Sequence, residues 1–343
     1  MAELVFILTD FFSASPHDAG AGLPRLPLLE TALARARVTA LAPDWRGWLG
    51  ARSASVAGRS LTPSATVAAA WPARPAAQPR PGQVWLATPV HYFAGLDSVH
   101  LHPAGLLRLD SAEQQRLVDD FGQVFADSPW QLRTLGRREL LLSGPAIEAS
   151  AADPGHFAGS DPTPGLPRGE GAGTLRRLGA EMEMWLYEHP LNVERAGRGE
   201  RPVTTFWLWG AGPIPTAPVA AATAAVAAPA PTPAAQLYGC DTYAEGLWRL
   251  QGGAAEALPE AFDAAVLEAQ ADSVFLYPLL RPEGLTAAFL QLEQRWLPEA
   301  LRAVRRRRAS VLRLLIGPRL YSVRWLDLAR VWRSRRPWWE TLA

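Results

Sequence analysis

The chain has 343 residues and a mass of 37.2 kDa, which suits one large α/β domain or two ordinary ones. Its residues are 48% hydrophobic and 20% charged, so a sizeable core can form and wholesale disorder is excluded. All 34 basic residues are arginine, which excludes reactions that need a lysine amine. The single cysteine, Cys240, excludes an internal disulfide framework and a cysteine-rich zinc site.

The first residues predict a buried strand and not a secretion signal, because residues 1–8 are apolar but carry Glu3 and no basic residue. No apolar run reaches the roughly 18 residues that a membrane-spanning helix needs. An unpaired cysteine agrees with a reducing compartment. These features predict a cytoplasmic protein without a membrane partner.

Strand-like and helix-like segments alternate along most of the chain. Apolar patterns predict strands at residues 4–8, 83–92, 98–102, 139–142, 204–209, 273–280, 310–316 and 320–325. Helical spacing predicts helices at residues 28–36, 111–125, 175–188 and 285–304. Asp110 and Glu113 form a capping-box pattern before the second helix, His189-Pro190 ends the third, and Pro298 bends or restarts the fourth.

This alternation predicts an α/β fold with a mostly parallel sheet and helices on both faces. The last two strands flank Gly317-Pro318 and predict an antiparallel hairpin at the C-terminal edge of the sheet. We expect an N-terminal α/β portion at residues 1–212 and an Ala/Pro-rich linker or insertion at residues 213–235. Residues 236–343 then complete the same domain and end in an arginine-rich stretch.

Charge is unevenly distributed, although the formal net charge is only +1. Residues 302–343 hold twelve arginines and two acids, a local balance of +10, whereas the rest of the chain carries −9. Such asymmetry can indicate a nucleic-acid contact. We favour the interpretation that this segment packs on the acidic body and keeps its arginines solvated.

Several histidines and aspartates are candidate metal ligands, each with a structural alternative. His100 and His102 lie two residues apart on a strand and could share a metal, but neither Asp97 nor Asp110 is a clear third ligand, so structural histidines are favoured. His91, at a predicted strand end, is better explained as a hydrogen-bonded cap.

Other candidates lie in loops or at a strand end. His17 stands beside Asp18, and His156 lies near Asp153 and Asp161, a common arrangement in polar loops. Asp10 ends the first strand, where an acid can either ligate a cation or cap the following turn. Both readings of Asp10 stay open.

Residues 188–212 are the segment richest in polar and aromatic groups. Polar side chains at a helix end face a strand with two tryptophans on one side, and Gly210-Ala211-Gly212 is expected to stop that strand. Such a place is a candidate ligand site, unless the tryptophans are core and the polar groups satisfy one another. The candidate ligand-binding residues are His189, Asn192, Glu194, Arg195, Trp207 and Trp209.

Residues 189–195, followed by Trp207-Leu208-Trp209-Gly210, resemble a segment of the archaeal-type cofactor-independent phosphoglycerate mutases. They resemble more closely a small bacterial family described as regulatory proteins of the pathogenicity-factor cluster, E-type. Weaker matching segments are residues 28–31, 88–92, 102–106 and 332–337.

The resemblance implies an alkaline-phosphatase-like fold and, in the mutases, phosphoryl transfer through a serine nucleophile and two divalent metals such as manganese or zinc. This chain departs from that pattern. It has no Asp-His pair late in the chain, no histidine after His189 and no lysine. Only Asp10 stands where a first metal ligand is expected.

We therefore hypothesise a catalytically degenerate relative that acts as a cytoplasmic regulatory or binding protein, without a cofactor. Its partner would be a protein or a small phosphorylated ligand. One alternative is an active metal-dependent mutase or phosphatase with a rearranged site, built from Asp10, His17, His91 and loop aspartates. The other alternative, less favoured, is a regulator that contacts nucleic acid through its arginine-rich C-terminus.

Overall fold

The computed structural model describes residues 2–11, 23–41, 44–53, 62–72, 82–95, 98–214, 235–263, 272–279 and 284–342. The chain divides into two compact units: Met1–Gly58 with Pro229–Ala343, and Arg59–Ala228. The predictions on His17, Asp18, Asp97 and most of the linker at 213–235 fall outside the described residues.

The described residues form the following strands and helices in chain order. The strands are β1 (Ala2–Thr9), β2 (Arg37–Ala40), β3 (Gln83–Ala94), β4 (Val99–Leu106), β5 (Gln131–Arg133), β6 (Leu140–Gly144), β7 (Thr205–Pro213), β8 (Ala235–Tyr238), β9 (Ala255–Glu256), β10 (Asp272–Pro278), β11 (Ala309–Ile316) and β12 (Arg319–Arg324). The helices are α1 (Pro27–Arg35), α2 (Trp45–Ser53), α3 (Pro63–Ala70), α4 (Ser111–Val124), α5 (Ala172–Tyr187), α6 (Pro190–Gly197), α7 (Thr242–Leu250), α8 (Leu285–Gln291), α9 (Leu297–Arg305) and α10 (Trp338–Leu342). A π-helical stretch, Leu292–Trp296, joins α8 to α9, and single 3₁₀ turns lie at Pro154–His156, Thr163–Gly165 and Asp327–Ala329.

The first unit contains a seven-stranded sheet in the order β2-β12-β11-β1-β10-β8-β9. The five strands β11, β1, β10, β8 and β9 run parallel to one another. Strand β12 pairs antiparallel with β11 on one side and with β2 on the other. Gly317, with φ of 56°, lies in the turn between β11 and β12. The predicted mostly parallel sheet and its antiparallel C-terminal hairpin are therefore confirmed for this unit.

Strand β1 is buried on both faces, which explains its almost uninterrupted apolar sequence. Leu4 and Phe6 belong to a cluster with side chains of α1, α8 and α9, while Val5 and Ile7 belong to a second cluster with α2 and α7. Side chains alternate across a strand, so these two clusters lie on opposite faces of the sheet. The prediction of helices on both faces is confirmed here.

The helix predicted at residues 285–304 is interrupted in the way that its proline requires. Pro298 lies in the first turn of α9, where its missing N–H costs no hydrogen bond. The π-helical stretch before it positions Glu293, whose carboxylate accepts the N–H groups of Leu28 and Leu29 at 2.6 and 2.9 Å. A side chain from this late segment thus caps the first turn of α1.

The second unit contains a five-stranded sheet that is antiparallel throughout. Strand β3 pairs with β7 along one edge and with β6 and then β4 along the other, and β5 extends the sheet beyond β6. The expectation that strand and helix alternation makes the sheet parallel was wrong for this part of the chain. The alternation of strands and helices gives the order of the elements along the chain, but it does not determine whether paired strands run parallel or antiparallel.

One face of this antiparallel sheet covers the core of the second unit. Trp85 of β3 and Phe206 and Leu208 of β7 pack there with apolar side chains of α4 and α5. Helix α3 packs against β3 and β7, and Ser64 in its first turn is within 2.6 Å of the Gly210 carbonyl oxygen.

The prediction that Gly210-Ala211-Gly212 stops strand β7 was wrong, because the strand continues to Pro213. The glycines serve close packing here, because a Cβ atom at Gly212 would collide with Thr62, the residue before α3. Gly210, with φ of 67°, also adopts a backbone conformation that favours glycine. The Gly-Ala-Gly sequence therefore indicates a neighbouring helix and not the end of a strand.

Helix α4 has the predicted capping box. Asp110 Oδ1 accepts the N–H groups of Ala112 and Glu113, both at 2.8 Å, and Glu113 Oε2 accepts the N–H of Asp110 at 3.0 Å. Asp110→Ala should lower the free energy of unfolding by about 1 kcal/mol, because it leaves two N–H donors without this acceptor. Urea denaturation measures the change, with exposed Asp127→Ala as the matched control. Equal stabilities of the two variants would contradict the role of Asp110.

Candidate functional site

His189 is the N-cap of α6. Its Nδ1 accepts the N–H of Leu191 at 3.2 Å, so Nε2 carries the proton and donates to Asp120 Oδ2 at 3.0 Å. The imidazole is 4% exposed and meets the Trp185 ring edge to face. Burial lowers the pKa of His189, and the Asp120 carboxylate opposes that shift. His189 and Pro190 end α5 but also begin α6, so the following polar residues lie along a second helix and not at a helix end.

Asn192 connects the end of α5 to the segment before β7. Its Nδ2 donates to the carbonyl oxygens of Leu186 and Val203 at 2.7 and 2.9 Å, and its Oδ1 accepts the Val203 N–H at 2.8 Å. Both amide protons are therefore used within the chain. The side chain is buried, so it stabilises the connection between these elements.

Arg195 and Glu113 form a buried ion pair between α6 and α4. Arg195 Nη1 lies 2.9 and 2.8 Å from the two Glu113 oxygens, and the two side chains are 5% and 8% exposed. Arg195 Nε donates to the Arg201 carbonyl oxygen at 2.8 Å. Arg198 adds a second contact to Glu113 at 2.6 Å, and Glu200 accepts from Arg198 at 2.9 Å.

Glu194 lies on the exposed side of α6. Arg116 Nη1 donates to both of its carboxylate oxygens at 2.9 and 3.0 Å. This hydrogen bond lowers the pKa of Glu194. The pair is solvent-exposed, so its contribution to stability is small.

Trp207 and Trp209 share one face of β7, as predicted, and it is the face opposite to the core residues Phe206 and Leu208. Trp207 Nε1 donates to the Ala152 carbonyl oxygen at 2.8 Å, and Trp209 Nε1 donates to Thr88 Oγ1 at 2.9 Å. Both tryptophans are buried. The structure thus brings His189, Asn192 and Arg195 together on α6 and its neighbours, and places the tryptophans on the other face of the sheet.

A histidine cluster on β3 and β4 includes three of the candidate ligands. The Phe93 ring lies 5.5 Å from His100 and 5.6 Å from His102, and His91 lies 5.8 Å from His102, between ring centroids. His91 is within strand β3 and not at its end, and its Nδ1 lies 3.0 Å from the Pro202 carbonyl oxygen. Burial and the nearby Arg201 lower the pKa values of both His91 and His102.

Neighbouring groups also engage the two histidines of β4. His100 Nε2 lies 3.0 Å from Ser98 Oγ, and His102 Nδ1 accepts the Ala104 N–H at 3.0 Å. The aromatic ring of Phe93 packs against both imidazoles. Sequence spacing found the pair, but it could not place Phe93 beside it.

The carboxyl ends of the parallel strands in the first unit carry two notable acids. Asp10 follows β1 with φ of 63°, and its Oδ2 accepts from Thr9 Oγ1 at 3.3 Å. Asp241 follows β8, where it accepts from Arg46 at 2.7 Å and caps α7 through the Ala244 N–H at 3.0 Å. Sequence reasoning did not single out the Arg46–Asp241 pair, whose partners are 195 positions apart.

The fit of a two-metal centre can be tested against the side chains within each unit. In the part of the first unit that the structure describes there is no histidine. Taking each unit separately, its described residues contain no three His, Cys, Asp or Glu side chains with ligand atoms within 4.8 Å of one another. Two-metal chemistry needs several such ligands around each ion. The described residues of either unit alone do not fit that centre.

Comparisons with known proteins give a partial similarity. No known protein-family profile matches the chain. An 81-residue stretch is 35% identical to the 2,3-bisphosphoglycerate-independent phosphoglycerate mutase of Methanothrix thermoacetophila, and covers 24% of this chain and 21% of that protein. The match thus spans about a fifth of the length of this relative.

Two solved structures are loosely similar over most of their length. A cofactor-independent phosphoglycerate mutase from Thermoplasma acidophilum has a TM-score of 0.36 at 15% identity, with 94% of this chain and 90% of that chain covered. The PH0037 protein from Pyrococcus horikoshii has a TM-score of 0.42 at 13% identity, with 94% and 87% covered.

Among the residues that the structure describes, none of the helices combines the length and the apolar character needed to cross a bilayer.

The buried ion pair predicts a large effect of a small substitution. Glu113→Gln keeps a capping side chain at the start of α4 but removes the charge beside buried Arg195, so it should lower the free energy of unfolding by about 2–4 kcal/mol. Glu194→Gln is the matched control, because the Glu194–Arg116 pair is solvent-exposed, and it should change the free energy of unfolding far less than Glu113→Gln does. Chemical denaturation of both variants tests the difference; equal losses would contradict a special role of the buried pair.

The lowered pKa of His189 predicts acid sensitivity. In the unfolded chain His189 takes up a proton near pH 6.5, whereas in the folded chain it does so at lower pH, so stability is full above about pH 6.5 and falls below it. His189→Asn retains an N-cap acceptor for Leu191 without the titration. Between about pH 7.5 and about pH 5.5, the variant should lose less stability than the wild type in urea titrations. An identical pH dependence would rule out His189 as a source.

Proposed function

We propose that the chain is a diverged relative of the cofactor-independent phosphoglycerate mutases that acts by binding and not by phosphoryl transfer. The sequence similarity to the Methanothrix enzyme over 81 residues supports the relationship. We further propose the alkaline-phosphatase-like form of the α/β fold. The mixed sheet of the first unit, with parallel strands at its centre and helices on both faces, supports it.

The observation that carries the proposal is that three polar candidate ligand-binding residues form their hydrogen bonds within the chain. His189, Asn192 and Arg195 use their nitrogen and oxygen atoms on Asp120, on backbone groups and on Glu113. A group that transfers a proton or holds a phosphate must face the reacting molecule. These residues instead face other parts of the second unit, so we assign them a structural role.

We propose a regulatory role in the cytoplasm, with a protein or a small phosphorylated molecule as the partner. The segments that resemble the E-type regulatory family of the pathogenicity-factor cluster support this assignment, notably Trp207-Leu208-Trp209-Gly210. The lack of lysine in the chain agrees with the loss of mutase chemistry, because a lysine near the phosphate belongs to the pattern of those enzymes.

A second candidate function is a metal-dependent mutase or phosphatase with a rearranged site. The observation in its favour is Asp10, a carboxylate at the carboxyl end of the central strand β1. The φ of 63° at Asp10 does not by itself indicate a functional site, because aspartate adopts the left-handed region more readily than most residues. Its hydrogen bond from Thr9 also fits a turn cap.

Metal analysis and activity assays separate the two candidates. The purified chain, supplied with manganese or zinc, should retain fewer than one tightly bound ion per chain and show no turnover of 3-phosphoglycerate or of p-nitrophenyl phosphate. Asp10→Asn should then leave metal content unchanged, as should the exposed control Asp127→Asn. Metal-dependent turnover that Asp10→Asn abolishes and Asp127→Asn retains would establish the enzyme instead.

A further inference from the structure

A surface of exposed arginine and tryptophan side chains lies on the first unit, in the residues just before β11 and in the segment after β12. It comprises Arg307, Arg324, Trp325, Trp332, Arg335 and Arg336, and we call it the arginine–tryptophan surface. Arg324 ends β12 and pairs in register with Val311 near the start of β11. Strand β11 runs parallel to β1, so Asp10 lies beyond the other end of these strands.

Contacts within the first unit hold this surface together. The Arg307 guanidinium lies 4.1 Å from the centroid of the Trp325 ring. Arg333, next to Trp332 in sequence, donates to the carbonyl oxygens of Ala34 and Ala36, both at 3.2 Å. The segment after β12 is thereby fixed against the end of α1.

The positive charge of this surface is not compensated locally. Arg330 and Arg37 pair with buried Asp327, and Arg313 pairs with Glu3, as expected for a segment that packs on acidic groups. By contrast, no carboxylate among the described residues lies within 4.0 Å of the exposed arginines at 305–308, 324, 333, 335 and 336. Four of these arginines belong to the arginine–tryptophan surface, and the other four, Arg305, Arg306, Arg308 and Arg333, adjoin it in sequence. Together they present eight positive charges without a carboxylate partner to an anionic molecule.

Large apolar side chains are exposed among these charges. Trp332 is 76% exposed and Trp325 is 42% exposed, and Leu326 and Val331 are also exposed. Solvent exposure of several large apolar side chains in one region indicates an interaction surface. The Arg307 guanidinium covers part of the Trp325 ring and holds it in place, which lowers the cost of ordering it on binding.

We propose that the arginine–tryptophan surface binds single-stranded nucleic acid. Exposed arginines without acidic partners match a phosphate backbone, and exposed indole rings are platforms on which bases stack. In sequence, Arg324 precedes Trp325 and Arg333 follows Trp332, so a cation stands beside each stacking ring.

Other occupants fit the surface less well. An interfacial membrane anchor separates its apolar face from its basic face, whereas here the two kinds of side chain alternate. A second copy of the chain, placed symmetrically, would bring like charges together. Duplex recognition uses a helix or strand pair that enters a groove, and the segment between β12 and α10 contains only one 3₁₀ turn.

Fluorescence anisotropy of the full chain with a labelled oligothymidylate of about 20 nucleotides tests the proposal over a range of salt concentrations. Binding should weaken as salt rises from about 50 to about 200 mM. Arg335→Gln/Arg336→Gln should reduce the slope of log affinity against log salt by about 1.4, because each lost phosphate contact contributes about 0.7 on a single strand. Trp332→Ala should weaken binding roughly tenfold with little change in that slope.

Arg176→Gln/Arg177→Gln is the matched control, since it removes two exposed arginines from α5 of the second unit. It should leave affinity and slope at their wild-type values, and thermal melts should confirm that every variant is folded. The proposal is overturned by the absence of oligonucleotide binding, by equal losses in the control variant, or by binding to vesicles rich in anionic phospholipid without binding to the oligonucleotide. Because this measurement involves neither metal nor mutase activity, its failure leaves the proposed function untouched.

Discussion

One carboxylate, that of Glu113, determines how the second unit uses its polar residues. It closes the capping box of α4 and also receives Arg195 and Arg198 from α6. A buried guanidinium is tolerated only with a charged partner and good geometry, so this contact fixes α6 against α4. The buried polar residues after α5 therefore stabilise the packing of α6 against α4.

The two units use charge in opposite ways. In the second unit, arginines and glutamates at α4 and α6 neutralise one another in close ion pairs. In the first unit the arginines around β11 and β12 outnumber the acidic side chains near them. Asp327 forms ion pairs with Arg37 and Arg330, and Glu3 forms one with Arg313. The interpretation favoured from the sequence has two parts: the ion pairs of Arg313 and Arg330 agree with packing on acidic groups, and exposed Arg335 and Arg336 agree with solvated arginines.

Local patterns in the sequence predicted local structure well. The capping box of α4, the restart at Pro298 and the two-sided burial of β1 depend on residues close together in the chain. The direction of the strands in the second unit depends on partners far apart, and the Glu113–Arg195 pair spans 82 positions. Helix α3 is buried on all sides and β2 is exposed throughout, so neither has an apolar period to detect. The same limit applies to the site: residue types identified the polar segment, but only its partners reveal its role.

The position of β1 has a consequence for how the protein forms on the ribosome. Its neighbours β10 and β11 are synthesised more than 250 residues later, and Glu293 caps α1 from 265 positions away. The second unit is one continuous segment and can fold while synthesis continues. The apolar strand β1 has no pairing partner until β10 and β11 have been synthesised, so it is prone to aggregate during translation.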